Sequence, residues 1–187
     1  MTSSSAPKTV LLKGEFSYRT GIANAAITPG MLIEQMSTGK FRKHATAGGV
    51  KPSPLFAREE EYVGGGIDTD YAADDSLPYV VASAGAQVYG IVAASASAIV
   101  IGDLLESDGA GGVRKAASNY LTDSSGGTAN TTVQAVGGSF SQSEIANDMA
   151  DLAAAINRLN PGAFARAVEA VDNSGGGSAV RIKMEIL

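Results

Sequence analysis

Two stretches of this chain repeat one another without a gap. A repeat restricts the fold more than composition does, because each copy is one supersecondary unit that must bury its apolar face against a neighbour. Gly30-Met-Leu-Ile-Glu34 and Gly39-Lys-Phe-Arg-Lys-His-Ala45 align, 72 residues on, with Gly102-Asp-Leu-Leu-Glu106 and Gly111-Gly-Val-Arg-Lys-Ala-Ala117. A second pair follows, Phe56-Ala-Arg58 after the first copy and Phe164-Ala-Arg166 after the second. The offset there is 108, so the second copy carries about 36 extra residues.

Within each copy, short apolar and β-branched runs are separated by turn residues, the pattern of hairpins. Val10 to Tyr18 begins to alternate and reads as a first strand. Ile27 to Ile33 and Phe41 to Ala45 flank a turn at Ser37-Thr38-Gly39. At the other end, Val180, Ile182, Met184 and Ile186 alternate with Arg181, Lys183 and Glu185, so one face is expected buried and the other wet. Twenty-three glycines fit many short strands. The expected fold is mainly β, with two related β-barrel-like or β-tulip-like units. The expected division is a flexible arm at 1–12, a first unit at 13–98 and a second at 99–187.

The extra residues carry a helix signal. Ser141-Gln-Ser-Glu144 has capping-box spacing. Ile145, Met149, Leu152, Ile156 and Leu159 then fall on one helical face before Asn160-Pro161-Gly162 ends it. One amphipathic α-helix is therefore expected at about 143–159, within an insertion at 141–160.

Several classes of chemistry are excluded by what is missing. With no Cys, disulfides, zinc-thiolate sites and thiol nucleophiles cannot form, and one histidine cannot make a His-based metal cluster. A net charge of -5 and a pI near 4.8 argue against nucleic acid as a partner. The most apolar run, Val88 to Ile101, is too short and too diluted by Ser and Gly to span a membrane, and Met1 to Pro7 lacks the features of a signal peptide. No cofactor and no metal are expected.

Candidate chemistry is thin. His44 reads as a surface histidine, and its repeat counterpart is Ala116. Glu59-Glu60-Glu61, Asp68, Asp70, Asp74 and Asp75 form an acidic region that misses the EF-hand pattern and reads as a solvated loop. The glycine runs lack the lysine and Ser/Thr of a phosphate loop and read as hairpin tips. Lys40, Arg42 and Lys43, with Arg114 and Lys115, are the only concentrated positive charge. They are expected to pair across strands with Glu34 and Glu106, or else to meet an acidic protein surface. Aromatic and arginine residues are the natural interface anchors, namely Phe16, Tyr18, Arg19, Arg42, Phe56, Arg58 and Arg166. Phe56 and Phe164 also suit a core.

The run Pro29 to Glu34, the Gly39 to Ala45 strand, Phe56 to Glu60, Gly65 to Asp74, Val88 to Val92 and Gly102 to Glu106 together resemble the head decoration, or cement, proteins of tailed bacteriophages. The resemblance covers most of residues 15–120 and weakly the last 25. It implies a non-enzymatic virion protein, made in the host cytoplasm and often trimeric. Such a protein sits outside the capsid at local three-fold positions and clamps neighbouring major capsid subunits. It transfers no catalytic residue. The alternatives are a tail or baseplate β-domain and a carbohydrate-binding module.

Overall fold

The computed structural model describes residues 6–48, 52–60, 62, 64–116 and 162–187. Among them the chain is mainly β, with strands β1 (Leu11–Lys13), β2 (Phe16–Ile22), β3 (Ile33–Gln35), β4 (Phe41–Lys43), β5 (Leu55–Ala57), β6 (Ser76–Ala82), β7 (Gln87–Val92), β8 (Leu104–Ser107), β9 (Val113–Lys115), β10 (Ala165–Ala167) and β11 (Val180–Ile186). Contacts divide the chain into two bodies, Met1–Ala116 with Gly162–Leu187, and Ala117–Pro161. The helix expected at 143–159 falls in the second body and lies outside the described residues. No α-helix occurs among the described ones.

The last five strands close into a barrel. β7 pairs β11, β11 pairs β10, β10 pairs β8 and β8 pairs β9, all antiparallel, and a parallel contact at Val92↔Val113 returns from β9 to β7. Closure removes the unpaired edges that an open sheet exposes. β1 adds to the outside of β7.

The five strands before it trace the same circuit. β2 pairs β6 and β6 pairs β5, while β3 and β4 form a hairpin. Two single bridges join these pieces, Leu32↔Phe56 between β3 and β5 and the parallel Ala23↔Phe41 between β4 and β2. Register agrees at each joint. Ile33↔Lys43 matches Leu105↔Lys115, Leu55↔Val81 matches Ala165↔Ile186, Ile22↔Ser76 matches Ile91↔Arg181, Leu32↔Phe56 matches Leu104↔Arg166, and Ala23↔Phe41 matches Val92↔Val113. The repeated sequence is thus a repeated ring.

Three details differ from the sequence expectation. The end of the arm expected at 1–12 is ordered, since Val10 is fully buried and Leu11–Lys13 pairs with β7. Phe56 corresponds in register to Arg166, two residues beyond the aligned Phe164, because a shift of two along a strand keeps every side chain on its own face and leaves the pattern unchanged. The chain also crosses from the first ring to the second at Ser83–Ala86, ahead of the expected 98/99 division, since Gln87–Val92 is already bonded to β11.

One wall serves two cores. From β6, Leu77 and Tyr79 point into the smaller cluster with Ala23, Ile33, Phe41 and Ala57, where the Phe41 and Tyr79 rings lie 4.5 Å apart. Val80 and Ala82, on the opposite face, enter the larger cluster with Leu32, Phe56, Phe164, Ile182 and Met184. Burial on both faces explains the unbroken apolar run Leu77-Pro-Tyr-Val-Val-Ala82. Phe56 is fully buried with its ring 6.2 Å from that of Phe164, so it holds the two rings together and is unavailable as the surface anchor expected of it.

Candidate functional site

Of the seven proposed anchors, the structure brings two into contact at the surface. Tyr18 faces outward from the middle of β2 and is 63% exposed. The Arg58 guanidinium, just beyond the end of β5, lies 5.3 Å from the centre of its ring. A cation over an exposed aromatic face presents a flat amphipathic surface that already has its shape before any partner arrives. Phe16, on the same face of β2, is half-buried against the larger core, and Arg19 is exposed. Phe56 is excluded by burial, as described above.

Two further anchors, Arg42 and Arg166, are held in ion pairs. Arg42 Nε donates to Glu34 Oε1 at 2.7 Å, and its register counterpart Arg114 reaches Glu106 Oε1 at 2.8 Å. Arg166 pairs with Glu185 at 2.8 Å. Lys40 meets Asp74, and Lys115 meets Asp103. Arg42 and Arg114 thus make the cross-strand pairs expected with Glu34 and Glu106, whereas Lys40 is held by Asp74 outside the hairpin. The Asp103 carboxyl is held below its ordinary range, first by the Val100 N–H and then by Lys115.

His44 is not at the surface. It is 7% exposed, where β4 of the first ring meets β8 of the second. Its Nδ1 lies 2.8 Å from Ser107 Oγ, and its Nε2 lies 3.7 Å from Glu34 Oε2. Serine, histidine and carboxylate in this order are the elements of a nucleophilic triad. Here Ser107 is 1% exposed and its hydroxyl also accepts the Gly109 N–H, so the cluster ties one hairpin to the other and has no access for a substrate. The backbone repeats the tie, with Leu32 N–H donating to Gly111 C=O and Gly111 N–H to His44 C=O.

The acidic region is more structured than a solvated loop. The Glu59 carboxylate is buried and accepts the Val10 N–H. Glu60, Asp70, Asp75 and Tyr71 line a cleft of about 370 Å³ with Gly64, Gly65, Thr69 and Ser76. Its carboxylates serve local geometry: Asp70 accepts from the Thr28 hydroxyl and Asp75 from the Ala72 N–H. Among the described residues no cluster of His, Asp or Glu has the arrangement of a metal site.

Tyr71, on the wall of this cleft, donates its hydroxyl to the Arg58 carbonyl at 2.7 Å. Burial, and then the Glu60 carboxylate, pushes its phenol up from 10.0 to about 12. The fold thus favours the neutral phenol, and the stability this contributes is complete below about pH 10 and is lost as pH rises from 10 toward 12. The thermal midpoint of the native protein should therefore fall more steeply between pH 10 and pH 11.5 than that of Tyr71→Phe, which has no phenol to ionise. Parallel curves for the two proteins would contradict this.

Sequence reading missed a side chain with four separate contacts. Arg181 belongs to the face of β11 expected to be wet, yet it is largely covered. Its guanidinium donates to the carbonyls of Pro29 and Ile67, reaches Asp68 Oδ1 at 3.1 Å, and stacks 5.9 Å from the Tyr89 ring centre. It joins the second ring to a turn and a loop of the first. Asn173 likewise clips its own turn, donating to the carbonyls of Ala93 and Ser178. No spacing rule marks Arg181, whose partners lie 152 and 114 residues away, nor the reach of Asn173 to Ala93, 80 residues away.

No protein-family model matches the chain, and no curated protein matches it.

Proposed function

We propose that this protein is a structural component of a phage virion that binds the outside of the capsid and stabilises the shell by clamping neighbouring major capsid subunits. The observation that carries the reading is the joined pair of five-stranded rings on a shared wall, beside an exposed and preformed Tyr18–Arg58 anchor. Such a body is stiff, and a shell reinforcement needs stiffness together with surfaces for itself and for the shell. The proposed partner follows from the resemblance of the segments between Pro29 and Glu106 to cement proteins. The proposed working form is a homotrimer at local three-fold sites, with each subunit adding a modest contact that effective concentration multiplies. No catalytic step, cofactor, nucleic acid or membrane enters this reading.

The test is to mix the purified protein with expanded, undecorated heads and count bound copies by mass photometry. A species of about 57 kDa, three times the chain's 18.9 kDa, that saturates heads in hundreds of copies is the expected result. Tyr18→Ala and Arg58→Ala should each weaken head binding about tenfold or more, as truncation of a central anchor does. Indifference to heads would refute the reading, and binding of a few tens of copies at a tail would favour a baseplate role. The cleft beside Tyr71, with its carboxylates, is the observation that favours a carbohydrate module instead. Glycan binding abolished by Asp70→Asn together with Asp75→Asn would establish that reading.

A further inference from the structure

The register match between the rings states what should cover each equivalent surface. On the first ring, the outward row Leu32, Phe56, Val80 runs across β3, β5 and β6 and is fully buried by the second ring. The equivalent outward row on the second ring is Leu104, Arg166, Glu185, across β8, β10 and β11. There the centre has become a cross-strand ion pair, but the flank remains apolar and open. Leu104 is 45% exposed, and the turn leading into β8 presents Val100 and Ile101, 55% and 70% exposed. This turn is fixed in place, since Gly102 N–H donates to Ala167 C=O and Asp103 N–H to Val100 C=O. An apolar turn held rigid at the rim of a charged centre is the composition of a contact surface, with anchors that keep their shape in the free protein.

We infer that this face of the second ring is the docking surface for another copy of the same chain, whose first ring sits against it as the second ring sits against the first within one molecule. The occupant follows from the chain itself, because a five-stranded ring of this sequence already covers the same face one repeat earlier. The contact is head-to-tail: the face used on one copy differs from the face used on the next, so repeated addition closes into a ring of subunits or continues as a filament. Arg166 and Glu185 in place of Phe56 and Val80 make this contact more polar than the internal one. It should form and dissociate reversibly with concentration, whereas the internal contact, tied covalently, does not.

This inference does not depend on the capsid reading, and the two fail separately. The measurement is sedimentation velocity of the full chain from 1 to about 100 µM, a range that brackets micromolar association. The native protein should gain mass with concentration. Ile101→Glu combined with Leu104→Glu should sediment as a single 18.9 kDa species, with association weakened at least about tenfold. Tyr62→Glu, at a residue 95% exposed elsewhere, should behave as the native protein does. Equal thermal midpoints for the double variant and for native protein diluted to the monomer separate lost contact from lost fold. If Leu104→Glu proves unstable, Ile101→Glu alone, at the turn apex, carries the test. A native protein that stays at 18.9 kDa throughout, or variants that keep the native mass, would overturn the inference. Head binding by a chain that is always monomeric would overturn this inference together with the trimeric form proposed above, and would leave only the shell-binding part of the capsid reading standing.

Discussion

Arg181→Met is expected to lower the unfolding free energy by about 3–4 kcal/mol, measured as a shift in urea midpoint at unchanged slope. Methionine fills much of the same volume, so the loss isolates the guanidinium rather than the packing. Without it, the carbonyls of Pro29 and Ile67 lose their donor in a half-buried place, and each unsatisfied acceptor costs roughly 1–3 kcal/mol. Tyr89 loses the cation over its ring as well. Arg181→Lys should recover little, because a single ammonium cannot reach Pro29, Ile67 and Asp68 together as the planar fork does. Full recovery by lysine would show that charge alone matters, and would remove the forked geometry from the account.

The second large effect has its control built into the repeat. Gly30 and Gly102 occupy equivalent turns and share a left-handed backbone, with φ of 90° and 92°. Alanine at Gly102 meets nothing within 4 Å, so it carries only the conformational cost of about 1–2 kcal/mol. Alanine at Gly30 carries the same cost and also drives its Cβ to 2.6 Å from an Arg181 nitrogen and 2.8 Å from the Tyr89 carbonyl oxygen. Gly30→Ala should therefore cost about 3 kcal/mol or more, the sum of backbone strain and an overpacked contact. Equal losses for the two substitutions, read by the same denaturation, would mean that the ring-to-ring contact at Tyr89 and Arg181 yields easily.

These glycines also show why the repeat was legible. Gly30 and Gly102, and likewise Gly39 and Gly111 with φ of 84° and 86°, sit where a side chain is strained, so the same residue recurs in both copies. Glu34 with Arg42 and Glu106 with Arg114 recur because they face each other across equivalent hairpins. Local geometry leaves such marks in a sequence, and tertiary context does not. Leu32 and Leu104 are the same amino acid at the same register position, yet one is sealed and the other half open, because only the first has a ring lying over it. Arg181 shares its alternation with Lys183 and Glu185, so periodicity assigns all three to solvent. His44 reads as a surface residue because its partner Ser107 lies 63 residues away. Tyr18 and Arg58 were legible as residue types that suit an interface. Their stacking was not, since it depends on β2 and β5 flanking the same strand.

The order of strands along the chain also sets an order of assembly. The first ring has all its partners once synthesis reaches Ala82, whereas β7 must wait for β11, the last strand to emerge, before the second barrel can close. Through that interval the greasy row of Leu32, Phe56 and Val80 has no cover. A nascent chain halted between these points carries a finished ring with a sticky flank, which makes the stretch after Ala82 the window in which a chaperone or a misplaced neighbour competes with the protein's own second half.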